Sequence, residues 1–544
     1  MKETIIILGA GIMQGPVIQI AKELNFYTIV LDGSSLAPCI AMADRFEKID
    51  LKDKEGIEAF ARSIQGSAKC LGIMTAGTDF SASVAWAAEK LKLPGIPYET
   101  ALNASDKSKM RECFKKAKLP SPEFFTITAD SPLLAENALL PLPFPLVIKP
   151  VDNMGSRGCR RISSLKEFQK AALTAINFSR TGKAIAECFM DGPEFSVDAI
   201  VYKGEITICG LADRHIFFPP YFIEMGHTMP TTIEEEKQNA LLETFRMGIN
   251  ALGLSGKDNI GAAKGDIKLT SNGPMIGEIA ARLSGGYMSG WTYPYSSGAL
   301  PVKAAILAAM GRKPEGLVPV KKWTCAERAF ISIPGTVRQI AGCGKSGADN
   351  NAQPGGFVND FFMRIEAGSK VTFPENNVTK CGNVIASAPD RETAITAAED
   401  AAKAVLIRLD PSDPETGKFL HTQTHQTSGS RHETSFPPDA FQLTEDLKQS
   451  LNQIPEEMTE KRSNNNAALL LHPFPAFTKS NLRDYMGRTP EEALNAVRRL
   501  TGFPLPVTSE NAENIIRLGR SFWAALIRGS YQGAVWYIDS LISQ

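Results

Sequence analysis

The amino-terminal segment restricts the fold of this chain more than any other. TIIILGAG predicts a buried strand that enters a glycine turn, PVIQIAKELN an amphipathic helix, and FYTIVLDG a second strand that ends on Asp32. This βαβ unit is expected to have a right-handed crossover. CLGIMTAGTDF and SASVAWAAEKL continue the strand–helix alternation. Residues 1–103 are therefore predicted to form a Rossmann-like domain with a parallel sheet.

The glycine turn leaves two interpretations open. Its pattern is Gly9-x-Gly11-x-x-x-Gly15, whereas dinucleotide-binding turns follow G-x-G-x-x-G. An NAD(P)-dependent oxidoreductase with Asp32 at the ribose is one alternative. In the other, the turn receives a substrate anion or only closes the fold.

Thr78 and Asp79 follow the next predicted strand of this domain. Open α/β sheets bind ligands at the carboxyl ends of their strands, so both residues are candidate substrate contacts. Capping of the following helix by Thr78 or Asp79 is the alternative.

Bulk composition limits the class of protein. A chain of 544 residues is too long for one hydrophobic core, so several domains are expected. The 59 basic and 59 acidic residues cancel, which gives no indication of a nucleic-acid partner. The nine cysteines form no C-x-x-C pair, and no apolar run approaches the roughly 20 residues of a membrane span. These features predict a soluble cytoplasmic protein without a membrane partner.

The segment KGDIKLTSNGPMIGEIAARLSGGY, residues 264–287, predicts two short strands joined by a Ser-Asn-Gly-Pro turn. Asp266 lies on one strand, Glu278 on the other, and Arg282 follows four residues later. If the strands pair, two carboxylates and a guanidinium converge at one end of a sheet. Such a set suits a magnesium–polyphosphate site, whereas a hairpin with ordinary exposed charges is the alternative.

A second segment favours phosphate binding. FPLVIKPVDNMGSRGCRRI predicts a strand that ends at Lys149, followed by a glycine-rich loop. The loop residues are Gly155, Ser156, Arg157 and Gly158. Backbone N–H groups and a serine hydroxyl would donate to a phosphate, and the two cations would neutralise it.

The strands that follow this loop supply further candidates. Glu187, Phe189 and Met190 lead into an Asp-Gly-Pro turn, where backbone groups can meet an adenine edge, and Glu194 is placed to accept from ribose hydroxyls. A plain hairpin is the alternative for this segment.

Arg214 and His215 end a further predicted strand and are candidate substrate contacts. A lone histidine such as His215 is more often structural.

The carboxyl-terminal third of the sequence is predicted to form three structural parts. Residues 321–410 show strands followed by the alanine-rich helix RETAITAAEDAAKAVLIRL, which runs to Leu409. Residues 411–437 form a polar linker with His421, His425 and His432. Residues 438–544 are mainly helical, including the segment NAENIIRLGRSFWAALIRGSYQGAVWYIDSLIS. Thr489 and Glu492 match the sequence pattern of a helix capping box. The aromatic face of the last segment suits core packing or a homodimer contact.

In this order the segments resemble the ATP-grasp superfamily of carboxylate–amine ligases. The resemblance rests on GAGIMQGPVIQIAKELNFYTIVLDG, DKSKMRECFKKAKLPSPEFF, FPLVIKPVDNMGSRGCRRI, AECFMDGPEFSVDAIVYKGE and GDIKLTSNGPMIGEIAARLSGG. It implies an ATP-grasp domain over 104–320 and a small α/β closing domain over 321–410, as in biotin carboxylase. The fold class is therefore a mixture of α/β and α+β domains with a helical carboxyl-terminal extension.

The resemblance also implies roles for individual residues. Lys109 and Lys149 would bind phosphate, residues 155–158 would close over the triphosphate, and Glu187 to Met190 would hold adenine. Asp266 and Glu278 would bind magnesium, and Arg282 would hold the transferred phosphate and acyl group. Ser284, Gly285 and Gly286 complete the candidate substrate residues.

The implied reaction uses ATP and Mg²⁺, or Mn²⁺, to activate a small carboxylate as an acyl phosphate, which an amine then attacks. One position departs from the family pattern, because Ala280 stands where many members have a metal-binding Asn. An ATP-binding regulatory protein without turnover is therefore the alternative within the same fold.

Overall fold

The computed structural model describes residues 2–135, 137–342, 357–422, 436–459, 467–503 and 514–542. The chain divides into two compact units. Unit 1 comprises residues 1–217, 226–327 and 387–395, and unit 2 comprises residues 218–225, 328–386 and 396–544.

The amino-terminal part of unit 1 is the predicted parallel α/β domain. Its elements are β1 (Glu3–Leu8), α1 (Gly15–Glu23), β2 (Tyr27–Asp32), β3 (Arg45–Lys48), α2 (Lys54–Gln65), β4 (Cys70–Met74) and α3 (Ser81–Leu91). The strands pair in parallel in the order β3-β2-β1-β4. The four apolar residues Ile5 to Leu8 form the centre of this sheet because all are completely buried.

A second sheet of unit 1 follows two helices. The elements are α4 (Tyr98–Ser105), α5 (Lys107–Lys116), β5 (Phe124–Thr128), β6 (Leu146–Pro150), β7 (Arg160–Ile162), α6 (Leu165–Phe178) and β8 (Lys183–Cys188). The strand order is β5-β8-β6-β7, with antiparallel pairing throughout. Phe168 and Ala172 of α6 pack on Ile148 of β6, which closes a small core.

Longer antiparallel strands follow in the chain. The remaining elements are β9 (Glu194–Tyr202), β10 (Glu205–Phe217), β11 (Ile223–Met229), α7 (Glu235–Ala251), β12 (Ile260–Thr270), β13 (Gly273–Ala280), α8 (Tyr293–Ser296) and α9 (Pro301–Ala309). Strands β13, β12, β9 and β10 pair in that order. The predicted hairpin is present, and its register places Asp266 directly opposite Glu278.

From residue 324 the chain forms strands and one long helix. The elements are β14 (Thr324–Phe330), β15 (Gly335–Ala341), β16 (Phe357–Met363), β17 (Lys370–Val371), β18 (Gly382–Ala388), α10 (Arg391–Ala404) and β19 (Leu406–Leu409). The alanine-rich helix was predicted to continue to Leu409, but it ends at Ala404. The apolar run after it pairs with β15 as β19, because a buried run of this kind fits a strand as well as a helix.

The carboxyl-terminal part of unit 2 mixes helices with a small sheet. Its elements are α11 (Pro414–His421), α12 (Glu445–Asn452), β20 (Met458–Thr459), β21 (Ala467–Leu471), α13 (Pro475–Thr478), α14 (Pro490–Thr501), β22 (Asn514–Leu518) and α15 (Arg520–Ile542). The segment 514–518 was predicted to be helical, but it pairs in parallel with β21. Helix α11 lies inside the predicted linker, and His425 and His432 lie outside the described residues.

Within the described ranges, no helix is both long enough and apolar enough to cross a membrane.

The predicted capping box of α14 is confirmed. Glu492 N donates to Thr489 Oγ1 at 3.1 Å, and Thr489 N donates to Glu492 Oε2 at 2.6 Å. The helix places Leu494, Val497 and Leu500 in the core of unit 2. This cap is therefore expected to contribute to the stability of that core.

We predict that Thr489→Ala destabilises unit 2 by about 1 kcal/mol, because an N-terminal donor of α14 loses its acceptor. Differential scanning calorimetry should show the corresponding transition about 2–4 °C lower. Thr478→Ala is the matched control, since Thr478 Oγ1 makes only a 3.5 Å contact with Pro475 O. Equal transition temperatures for the two variants would contradict the prediction.

Candidate active site

Asp266 is the most heavily neutralised carboxylate of the hairpin. Ser196 Oγ donates to Asp266 Oδ1 at 2.8 Å, and Arg214 Nη1 lies 3.0 Å from Asp266 Oδ2. Lys264 forms a further short ion pair with Asp266 Oδ2. The carboxylate thus lies between two cations and a hydroxyl that come from β9, β10 and β12.

Glu278 faces a different cation. Lys107 Nζ lies 3.3 Å from Glu278 Oε1. Burial alone would raise the pKa of Glu278, but the positive charges of Lys107 and Lys264 outweigh it and lower the pKa. The hairpin therefore places its two carboxylates beside two lysines.

The structure brings Lys107, and not Lys109, into this cluster. Lys107 is buried, and its Nζ also donates to Asn153 O at 2.9 Å. Lys109 is exposed and pairs with Glu99 at 3.1 Å. The sequence carried a signal for this difference: Lys107, Met110, Arg111 and Phe114 form the buried i, i+3, i+4 stripe of α5.

Glu187 fixes the second lysine rather than presenting a free carboxylate. Its Oε1 accepts from Arg111 Nε at 2.8 Å, and its Oε2 lies 2.6 Å from Lys149 Nζ. Burial favours the neutral acid, but the charges of Arg111 and Lys149 prevail and hold the pKa of Glu187 at about 2. This buried ion-pair cluster joins α5, β6 and β8.

After Glu187, the backbone makes hydrogen bonds at the two residues that are predicted to contact adenine. Phe189 N donates to Pro145 O at 3.1 Å, and Lys268 Nζ donates to Met190 O at 3.0 Å. The guanidinium of Arg161 lies 4.2 Å from the Phe189 ring centroid. These contacts fix the backbone that was predicted to meet an adenine.

Glu194 and Arg214 form a short ion pair, and Lys268 Nζ lies 3.9 Å from Glu194 Oε2. Arg214 therefore connects Glu194 with Asp266. His215 is the next residue of β10, so its side chain points to the other face of the sheet, where its Nε2 meets Thr228 Oγ1 at 2.9 Å. The structure thus places Arg214, but not His215, in the charged cluster.

The loop 155–158 has the backbone of a tight turn. Gly155, Ser156 and Gly158 all have positive φ angles, between 59° and 69°. Arg157 Nε donates to Met154 O at 3.0 Å. A Cβ at Gly158 would lie 2.9 Å from Phe178, so a larger residue would displace this loop.

The carboxyl end of β4 lies against the segment that follows β13. Arg282 Nε donates to Thr78 O, and Gly77 N donates to Leu283 O, at 3.0 and 3.2 Å. Asp79 Oδ2 lies 3.3 Å from Arg180 Nη2. Burial raises the pKa of Asp79, although Arg282 and Lys107 oppose the shift. The predicted substrate residues Thr78 and Asp79 therefore neighbour Arg282.

Asp198 was missed by sequence reasoning and holds the Ser284–Gly286 turn. It is fully buried, and Ser284 donates to it from both its backbone N (3.1 Å) and its Oγ. Burial raises the pKa of Asp198 to about 6, despite the Ser284 hydrogen bonds and the charges of Lys264 and Arg282. Asp198 lies among apolar strand residues, so its only signal in the sequence is that of an isolated acid.

The glycine turn after β1 is filled by the chain itself. Gly11 N donates to Gln14 Oε1 at 3.0 Å, and the buried Gln14 also bonds to Ala76 O. Asp32 accepts from Ala10 N and Ser34 N at 2.9 and 2.8 Å. Gln14 occupies the turn, and Asp32 accepts a hydrogen bond from the turn. This geometry disfavours the alternative of an NAD(P)-dependent oxidoreductase.

The hairpin side chains provide only some of the oxygen ligands that a cation such as Mg²⁺ requires. In the part of the chain that the structure describes, no group of three or more His, Cys, Asp or Glu side chains is arranged to hold a metal ion. Asp266 and Glu278 offer two carboxylates, and Ala280 offers none. This set fits Mg²⁺ if phosphate and water oxygens supply the remaining ligands, as is common for this ion.

The pKa of Asp198 predicts a pH dependence of stability. Because its folded pKa (about 6) exceeds the usual unfolded value (about 3.9), the fold favours protonated Asp198. This stability is fully present below about pH 4 and is lost as the pH rises through about 6.

Asp198→Asn cannot ionise, so the wild type should lose stability relative to this variant between these pH values, on the order of 3 kcal/mol. Thermal unfolding of both proteins at pH 4.5, 5.5, 6.5 and 7.5 measures this. A difference in transition temperature that stays constant with pH would contradict the prediction.

Comparison with known proteins shows which families and folds this chain resembles. A family model of the ATP-grasp domain matches residues 142–290, and one of the L-amino acid ligase C-terminal domain 2 matches residues 329–410. Protein y4rH of Sinorhizobium fredii is 23% identical over 417 residues, which cover 75% of this chain and 82% of that protein. Alanine–anticapsin ligase of Bacillus subtilis is 29% identical over 229 residues, which cover 38% of this chain.

The chain spans only 47% of the length of alanine–anticapsin ligase. Among solved structures, L-amino acid ligase from Bacillus licheniformis matches with a TM-score of 0.62 and 22% identity, over 75% of this chain and 100% of that chain. At this identity the likeness shows the fold. Together, the two family models and this fold show that the chain contains an ATP-grasp domain and is similar to carboxylate–amine ligases.

Proposed function

We propose that this chain is an ATP- and Mg²⁺-dependent ligase that activates a small-molecule carboxylate as an acyl phosphate for attack by an amine. The observation that carries the proposal is the charged cluster in which Lys107 contacts Glu278 of the hairpin and Glu187 holds Lys149. The charge of Lys149 also acts on Glu278. Two fixed cations beside two carboxylates suit a metal-bound polyphosphate.

The nucleotide would lie between the segment 187–190 and the hairpin. Phe189 and Met190 would provide the apolar surface and backbone groups for adenine, and Glu194 would accept from the ribose. Glu194 is already held by Arg214 and Lys268, so its carboxylate is fixed before ATP arrives. The loop 155–158 would supply backbone N–H groups to the triphosphate.

Asp266 and Glu278 would hold Mg²⁺. The bound ion would neutralise the charge that develops on the transferring phosphoryl group. Lys264 and Arg214, which neutralise Asp266 in the structure, would turn toward phosphate or substrate oxygens once the metal is bound.

The first step would transfer the γ-phosphoryl group. A carboxylate oxygen of the substrate attacks the γ-phosphorus, the bond from γ-phosphorus to the bridging oxygen breaks, and ADP leaves with that electron pair. In the second step the amine attacks the acyl carbon and phosphate departs, while the amine loses a proton. Lys107, Lys149 and Arg282 would act by positioning and charge neutralisation.

The acyl end of the site would be formed by Arg282, Thr78, Asp79 and the 284–286 turn. Arg282 is fixed by its bond to Thr78 O, and Asp198 fixes Ser284. A guanidinium in a fixed orientation binds a carboxylate by charge-assisted hydrogen bonding. These contacts support a site that orients the substrate carboxylate toward the γ-phosphate.

A second candidate function is ATP binding without turnover, which Ala280 favours because it removes one family metal ligand. Hydroxylamine distinguishes the two functions, since it intercepts acyl phosphates as hydroxamates. We expect ADP release and hydroxamate in equal amounts when the protein is incubated with ATP, Mg²⁺, hydroxylamine and a panel of amino acids and small carboxylates. ATP binding without either product would favour the non-catalytic function.

The two lysines of α5 provide a matched pair for a second test. Lys107→Met should lower kcat/KM for ATP by at least about 100-fold, because a preorganised cation at the phosphates is lost. Lys109→Met should change it by less than about twofold, since Lys109 lies on the exposed face with Glu99. Steady-state ADP release, with thermal unfolding as a check on folding, measures both. Equal losses in the two variants would contradict this assignment.

A further inference from the structure

A small cavity of about 70 Å³ lies behind Arg282 in unit 1. Its walls come from the carboxyl end of β4, from α3 and α9, and from β12 and the segment after β13. Most wall residues are apolar, among them Val84, Ala85, Ile96, Ala262 and Ala305. This volume accommodates roughly five non-hydrogen atoms, about the size of a branched aliphatic side chain.

The cavity lining also includes polar residues, Arg282 and the hydroxyl residues Thr75 and Ser81. Two guanidinium nitrogens of Arg282 are already used, because Nε donates to Thr78 O and Nη1 to Leu283 O, both at 3.0 Å. Within the described ranges, Nη2 of Arg282 has no protein acceptor.

We propose that this cavity is the subsite for the side chain of the carboxylate substrate, and that the substrate is a small carboxylic acid with a branched aliphatic side chain. The inference rests on the proposed function. The guanidinium favours the carboxylate partner over the amine, because it binds a carboxylate and repels an ammonium group.

The position of the cavity supports this role. It adjoins the carboxyl end of β4, and open α/β sheets bind ligands at this edge. The small side chains of Ala85 and Ala305 leave the space, which larger residues at the same positions would fill. Each methylene group that enters the cavity should raise affinity about fourfold, from the usual free energy of burying apolar surface.

The test compares hydroxamate formation for substrates that differ only in the side chain. Glycine, alanine, valine, leucine and phenylalanine are used with ATP, Mg²⁺ and hydroxylamine, each also as the acid without its amino group. For the full-length protein we expect kcat/KM to rise from glycine to leucine by tenfold or more. It should fall for phenylalanine, whose ring exceeds the cavity.

Ala305→Leu fills the cavity and should remove the preference for valine and leucine while glycine and alanine keep their values within about threefold. Ala85→Val is a milder second variant that should act in the same direction, in case Ala305→Leu does not fold. Ala59→Leu, on an exposed position of α2, is the matched control and should retain the wild-type preference.

A binding measurement distinguishes failure of the proposed subsite from failure of the proposed ligase function. Thermal stabilisation by leucine and by glycine is recorded for each variant with a non-hydrolysable ATP analogue and Mg²⁺. Stabilisation by leucine that is lost on filling the cavity, without hydroxamate from any acid, supports the subsite and overturns the ligase function. Hydroxamate formation with equal kcat/KM from glycine to leucine, or with a preference unchanged in both filled variants, overturns the subsite and leaves the ligase function standing.

Discussion

The ion-pair cluster around Glu187 is the contact on which the candidate site depends. Glu187 is buried and receives Arg111 from α5 and Lys149 from β6. Removing two or three charged groups from water is costly, and only close pairing with further hydrogen bonds offsets that cost. Arg111 also donates to Gly277 O at 2.7 Å, so the same guanidinium reaches the hairpin residue before Glu278. One buried carboxylate therefore fixes a catalytic candidate and the helix that carries Lys107.

The placement of the two hairpin carboxylates depends on the pairing register of β12 and β13. Asp266 and Glu278 are direct partners, and an irregularity in the pairing follows Asp266. A slip of one residue would move both carboxylates to the opposite face of the sheet. The cations that pair with them come from α5, from β10 and from β12 itself, and this pairing neutralises the carboxylates. Under the proposed function, the same cations would bind the oxygens of a polyphosphate.

Local patterns predicted much of the fold because each was strong and self-contained. The amino-terminal βαβ unit, the 264–287 hairpin and the capping box at Thr489 all depend on residues within a few positions of one another. The predictions were wrong where an apolar run fits either a helix or a strand. Residues 406–409 and 514–518 are strands because a partner strand is present at each site, and sequence periodicity does not contain the partner.

The sequence by itself determined the order of the motifs and hence the fold class, the two hairpin carboxylates and the lysine at the end of β6. Only the tertiary structure decided that Lys107 rather than Lys109 lies with Glu278, that Asp198 holds Ser284, and that a cavity lies behind Arg282. Helix periodicity can suggest a buried face, but the groups that meet it come from elsewhere in the chain. Long-range contacts assign a role to a charge, because the cost of burying it is offset only by partners that folding brings to it.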